Sequence, residues 1–320
     1  MRGNGLFWCA ATVLCAACFA PLARGVIFYS TGDPNYNTSA PTGSLAGSGW
    51  QWVGVWGGYE GTPIGPHHFL TARHVGGTVG DPFIFGGTTY PTTAFFDDTL
   101  SDLRICEVNG TFPTWAPIYR LSGEVGQGLV VIGVGDSQGA PVKVDGVTKG
   151  WMYGSGAGTM RWGQNTVYAS GNGGSYWGQL LYALFESGAG PNEADLAEGD
   201  STSPVFINDG SGWKLAGIAA AVDGPFNTTN SGTGFDAAIF DGSGLYILDN
   251  GVWVPITGPT GFYATRVSVR AAWIDSIVPP GTGGGDAPLF SGPEAAILAA
   301  VVAAIGAFRA GRTAPGNRVG

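Results

Sequence analysis

A chain of 320 residues is long enough to bury one large core or two small ones. Its 57 glycines, 20 prolines and 12% charged residues do not imply disorder, because 11 Trp, 11 Tyr, 17 Phe and a 44% hydrophobic content supply the burial that disordered chains lack. The formal net charge is −9, and between residues 26 and 288 nine Lys and Arg face 22 Asp and Glu; such a surface repels phosphate backbones and argues against nucleic-acid binding.

The first 25 residues have the form of an export signal: Arg2, an apolar run from Leu6 to Leu22, then Ala23-Arg24-Gly25, with cleavage expected after Gly25. Cys9, Cys15 and Cys18 fall inside it, so Cys106 stands alone in the mature chain and no internal disulfide can form. A lipoprotein anchor at Cys18 competes with this reading, but Cys15 occupies the place where a leucine is usual. The body then reads as β throughout. WQWVGVW (50–56), LRICEV (103–108), LVVIGVG (129–135), SPVFI (203–207) and KLAGIAAAV (214–222) are short apolar segments bounded by Gly, Asp, Asn or Pro. The last two, joined by Asn208-Asp209-Gly210-Ser211-Gly212, are expected to form a hairpin. A helical pattern emerges only at Val269–Ile277. Residues 279–288 read as a Gly/Pro linker, and 289–320 as a hydrophobic segment whose unbroken run, Ala295 to Phe308, precedes Arg309, Arg312 and Arg318. Fourteen residues of helix span about 21 Å, short of a bilayer core near 30 Å.

All three histidines lie in GPHHFLTARHVGG (65–77). A zinc site of the HExxH type needs two His one helical turn apart with a glutamate between them; His68 and His74 are six apart with no acid between, so no metal is expected. Nucleophilic catalysis needs a serine activated by an imidazole that a carboxylate orients. GDSQG (135–139) fits the G-x-S-x-G elbow with Ser137, but that fold takes its members in the order Ser, acid, His, and no histidine follows His74. Ser137 therefore reads as a turn residue after a strand. GDSTSP (199–204) offers Ser201 in the order His, Asp, Ser.

In that order the chain resembles the chymotrypsin-like serine proteases. FLTARHV (69–75) is similar to the family's T-A-A-H-C turn, with His74 in the base position. Ser-Asp-Leu-Arg-Ile (101–105) is similar to its Asp-Ile-Ala-Leu strand start, with Asp102 as the orienting carboxylate, and GDSTSP to G-D-S-G-G-P, with Ser201 as nucleophile. LVVIGVG, KLAGIAAAV and GFYATRVSVRAAWIDSIV (261–278) resemble three further, non-catalytic segments. Asp97 and Asp98 compete with Asp102 by sequence distance, yet only Asp102 directly heads the alternating strand Leu103, Ile105. His67 and His68 read as turn residues at a strand start.

The resemblance implies an all-β fold of two six-stranded Greek-key barrels with a short C-terminal helix, the first over about 45–120 and the second over about 121–278, within a protease domain of 26–278. It implies a monomeric endopeptidase acting on proteins or peptides without a cofactor, with an oxyanion hole made by the Gly199 and Ser201 N–H groups. Asp200 would pair with a free mature N-terminus, although no Ile-Val-Gly-Gly start stands near Val26. Thr202 and Ser203 depart from the family's two glycines, which motivates a second reading, an inactive protease fold serving as a binding protein. Asp195, Val222 and Gly261 are the candidate pocket residues. Asp195 lies where an acid would select Lys or Arg, whereas Ala220, Ala221 and Val222 favour a small or medium apolar pocket. Gly292-Pro293-Glu294, the apolar run and the terminal arginines resemble the PEP-CTERM sorting signals of exported bacterial proteins, which implies an extracellular or cell-envelope location. An ordinary membrane anchor or a packed helix remains the alternative for that segment.

Overall fold

The computed structural model describes residues 25–155 and 158–279. The expected export signal up to Arg24, the expected linker beyond Pro279 and the C-terminal hydrophobic segment lie outside the described residues. Twelve strands close into two antiparallel six-stranded barrels. The first holds β1 (Gly54–Trp56), β2 (Tyr59–Gly65), β3 (His68–Ala72), β4 (Pro82–Phe85), β5 (Thr88–Asp97) and β6 (Leu103–Val108). The second holds β7 (Gly128–Gly133), β8 (Arg161–Asn172), β9 (Gln179–Leu184), β10 (Pro204–Asn208), β11 (Trp213–Val222) and β12 (Gly261–Arg266). Around each wall the order is the same, β1-β2-β3-β6-β5-β4 and β7-β8-β9-β12-β11-β10. This is the expected two-barrel, chymotrypsin-type architecture, closed by a short C-terminal helix, Ala271–Ile277, entered through a 3₁₀ turn at Ser268–Arg270.

The apolar runs of the sequence have a direct physical cause, since successive side chains of a strand point to opposite faces and here both faces are buried. From β6, Cys106 and Val108 enter the first barrel's interior beside Trp56, Phe69 and Phe83. Leu103 and Ile105 point the other way, into a seam between the barrels. From β7, Leu129 and Val131 fill the second barrel, while Val130 and Ile132 meet the same seam. β10 repeats the division, with Val205 and Ile207 inside and Phe206 at the seam. A strand that serves two cores cannot alternate apolar with polar, which is why these segments read as continuous.

One expectation needs correction in detail. WQWVGVW is not one strand: Trp50–Trp52 forms a 3₁₀ turn, and only Gly54–Trp56 joins the sheet. Between β11 and β12, Leu245–Asp249 and Val252–Ile256 pair as a hairpin across Asn250-Gly251. The expected hairpin of β10 and β11 is present, with Asn208 opposite Trp213.

The C-terminal helix secures the region that leads into β6. Arg270 makes a bidentate pair with Asp98, Nε to Oδ2 and Nη2 to Oδ1 both at 2.6 Å, and the Ser101 hydroxyl donates to the same carboxylate. Asp98 has a side chain only 1% exposed, so loss of Arg270 strands a buried charge. Arg270→Ala is expected to cost about 3 kcal/mol of stability in urea unfolding. Asp97→Ala, which removes the 41%-exposed partner of Arg104, is expected to cost less than about 1 kcal/mol by the same measurement.

Candidate active site

The strand register assembles half of the site. β3 and β6 run antiparallel with Ala72 opposite Leu103, so the residues just beyond these strand ends are neighbours. The Arg73 N–H donates to the Asp102 carbonyl at 2.6 Å, and the next residue, His74, meets the Asp102 carboxylate twice. Its backbone N–H donates to Oδ1 at 3.0 Å, and its ring Nδ1 lies 2.5 Å from Oδ2. Asp102 is fully buried. With Nδ1 facing a carboxylate, the ring proton belongs on Nδ1 and Nε2 is the free acceptor.

The second barrel supplies the other half. Ser201 sits in the turn that enters β10, and its Oγ is 2.9 Å from His74 Nε2. Three sequence-predicted residues, 127 positions apart at their widest interaction, thus form one hydrogen-bonded chain from Ser201 through His74 to Asp102. The competitors are engaged elsewhere: Asp98 holds Arg270, and Asp97 holds Arg104 through two bonds of 2.6 and 3.0 Å. Ser137 lies in the loop after β7, where its carbonyl accepts the Gly154 N–H. His67 donates its Nδ1–H to the Gly110 carbonyl, and His68 heads β3, so neither joins the site.

Gly199 takes φ +86°, a left-handed conformation that costs glycine little. Among the described residues neither its N–H nor that of Ser201 donates a backbone hydrogen bond, while the intervening Asp200 N–H donates to Ala197. Two unspent donors therefore flank Asp200 beside the Ser201 hydroxyl. Asp200 itself turns inward, where its carboxylate accepts the N–H groups of Gly135 (2.7 Å), Ala197 (2.9 Å) and Val26 (3.3 Å). Burial pushes this carboxyl up to about 6 against the pull of those three donors, and Asp136 adds to the rise.

A cavity of about 340 Å³ opens beside Ser201. Its wall includes Ala220, Ala221 and Val222 of β11, with Tyr153 and Asp236 contributing polar groups. Of the three candidate pocket residues only Val222 belongs to this wall. Asp195 is buried behind it, paired with Ile27 in a two-stranded sheet, and its carboxyl accepts the Leu196 N–H at 2.8 Å. Burial without a cation holds that carboxyl well above the usual carboxylate range. Gly261 begins β12 and donates its N–H to Asp223 at 3.0 Å. An added Cβ there would lie 1.8 Å from the Ala183 carbonyl oxygen, so its role is close strand packing.

Two neighbours of the site were not legible in the sequence. Trp177, from the one-turn helix Gly174–Trp177, places its ring edge-on to His74 with centroids 5.6 Å apart. Glu60 of β2 lies fully buried against Thr202 and Ser203, the two residues that follow the serine. The second could have been sought from the missing glycines, since side chains in that turn require partners.

No family model matches the chain, and no curated protein matches it. Among solved structures it is similar to neuropsin, a serine protease expressed in the limbic system of mouse brain, with 15% identity, a TM-score of 0.47, and coverage of 72% of this chain and 96% of that one. It is also similar to a mutant of human heparin binding protein (CAP37), at 14% identity and TM-score 0.47 over 74% and 95% of the two chains. A third similar structure is kallikrein-related peptidase 10, at 14% identity and TM-score 0.43 over 74% and 98%.

Proposed function

We propose that this protein is an exported serine endopeptidase that cleaves peptide bonds through Ser201, His74 and Asp102. What carries the reading is the continuous hydrogen-bonded chain Ser201–His74–Asp102 at the mouth of a cavity, beside two N–H groups with no acceptor among the described residues. In this mechanism the Ser201 oxygen attacks the substrate carbonyl while its proton passes to His74 Nε2. Asp102 offsets the imidazolium charge and fixes the ring. The carbonyl oxygen, now negative, accepts the Gly199 and Ser201 N–H groups, each donor of this kind being worth about 10² to 10³ in rate. Collapse of the tetrahedral species breaks the C–N bond, and the Nε2 proton leaves on the amine. Water then attacks the ester by the same proton path in reverse and releases the acid. The aliphatic wall Ala220–Val222 suits a small or medium apolar side chain on the acyl side of the bond.

Processing after Gly25 would expose the amine of Val26, whose nitrogen is already 3.3 Å from Asp200 Oδ2. Val26 is fully buried, and its carbonyl accepts a hydrogen bond from Arg161. While Val26 is an uncharged amide, Asp200 is a buried acid with a raised pKa; its contribution to stability is complete below its ordinary value and is lost as pH rises through about 6. A free ammonium at Val26 would compensate the carboxylate above that pH. The chain beginning at Val26 with a free amine is therefore expected to melt on the order of 5 °C higher at pH 7 than the same chain acetylated on Val26. At pH 5 the gap should narrow; equal melting temperatures at pH 7 would contradict the pairing.

A fluorophosphonate probe tests the nucleophile, because an activated serine oxygen displaces fluoride from phosphorus. Wild type is expected to be labelled, Ser201→Ala and His74→Ala to lose labelling, and Ser137→Ala to keep it. Asp102→Asn should fold but label about 10³- to 10⁴-fold more slowly. A folded wild type that takes no label would favour the binding-protein reading instead.

A further inference from the structure

Thr202 stands directly after the proposed nucleophile with φ +80°. A β-branched residue in the left-handed region is an outlier that surrounding structure must hold in place. The second barrel provides part of that hold, since the Thr202 N–H donates to the Ala219 carbonyl at 2.9 Å and the Ser203 N–H to the Asp200 carbonyl at 3.1 Å. The remainder crosses the seam and comes from a single residue, through its backbone N–H and its carboxyl. The Glu60 N–H donates to Thr202 Oγ1 at 2.8 Å, and that hydroxyl donates back to Glu60 Oε2 at 3.2 Å. The Ser203 hydroxyl donates to Oε1 at 3.3 Å. From the other side, the Thr71 hydroxyl of β3 donates to the Glu60 carbonyl at 3.1 Å and fixes its backbone.

Glu60, Thr202 and Ser203 are all fully buried. Among the described residues no lysine, arginine or histidine pairs with Glu60, and a carboxyl in such a place is tolerated only when it is neutral or fully hydrogen-bonded. Burial, with the Asp200 charge adding to it, holds this carboxyl well above the usual carboxylate range, in agreement with a neutral acid. The three residues form a reciprocal set: the hydroxyls of the turn meet a buried acid that has no other side-chain partner among the described residues.

We propose that Glu60 is a positioning residue for the nucleophile, a buried carboxyl of the first barrel that clamps Thr202 and Ser203 and so aims the Ser201 hydroxyl and N–H across the seam. This rests on the catalytic role proposed for Ser201. Glu60 touches no reacting atom; it acts through the turn.

The test is saturation kinetics of fluorophosphonate labelling on the full-length chain, which separates kinact, a measure of nucleophile alignment, from KI, a measure of probe binding. Glu60→Ala is expected to lower kinact about 10- to 100-fold while KI stays within about twofold. Glu60→Gln, whose amide both donates and accepts, should recover kinact to within a few-fold of wild type. If Glu60→Ala does not fold, Thr202→Val is read in its place, because it keeps the side-chain shape and breaks the same link; the same fall in kinact is expected. A kinact within about twofold of wild type in whichever of these folds overturns the proposal, as does a Gln variant no faster than the variant lacking the link. A folded wild type that does not label overturns the proposed function, and this inference with it.

Discussion

Ser201 and His74 stand on different barrels, so their 2.9 Å hydrogen bond exists only because one barrel packs on the other in a single arrangement. The seam that sets this arrangement is apolar and continuous. Leu70, Ala72, Leu103 and Ile105 of the first barrel meet Val130, Ile132, Phe206 and Ile218 of the second, and Ile274 of the terminal helix closes the cluster. Interiors of this kind are packed closely enough that a shift of an ångström is resisted by many contacts at once. Alignment of the site is thus a property of the seam before it is a property of the three polar residues.

Polar groups refine what the seam sets. The Arg270–Asp98 pair ties the helix that follows β12 to the loop that carries Asp102, so both ends of the chain of hydrogen bonds are braced from the second barrel. Cys106 is buried and unpaired, the sole cysteine among the described residues, and burial raises its thiol pKa far above the ordinary range. No disulfide braces the barrels among the described residues; apolar burial and the nearly dry Arg270–Asp98 pair do so. Such pairs add direction more than net stability, because desolvation offsets much of their attraction. At Glu60 a buried acid with no cation beside it among the described residues accepts two hydroxyls instead.

Much of this was legible in the sequence where the cue is local. Three histidines in one stretch, no histidine downstream of Ser137 and an acid heading an alternating strand narrowed the choice, and the resemblance to the chymotrypsin-like serine proteases singled out His74, Asp102 and Ser201. Strands β6, β7, β10 and β11 showed as short apolar runs because each feeds two cores. Other features depend on partners far away in the chain. Asp195 stands six residues before Ser201, but whether it faces a cavity depends on Ile27, which pairs across it. Glu60 lies in YEGTPIG, a strand buried on both faces and therefore without a period to read, and its partners are 142 and 143 residues distant. The hairpin over 245–256 is a different case, since Asn250-Gly251, with φ of +47° and +81°, carries the two-residue turn signature on its face.

The most direct measurement is the site of modification: label the protein with a fluorophosphonate, digest it, and locate the added mass by tandem mass spectrometry. The account expects a single modified residue, Ser201, with Ser137 and all other serines unmodified in the folded protein. Mass found on Ser137, or spread over several exposed serines at equal occupancy, would contradict an activated Ser201 and with it the reading of this seam as a catalytic one.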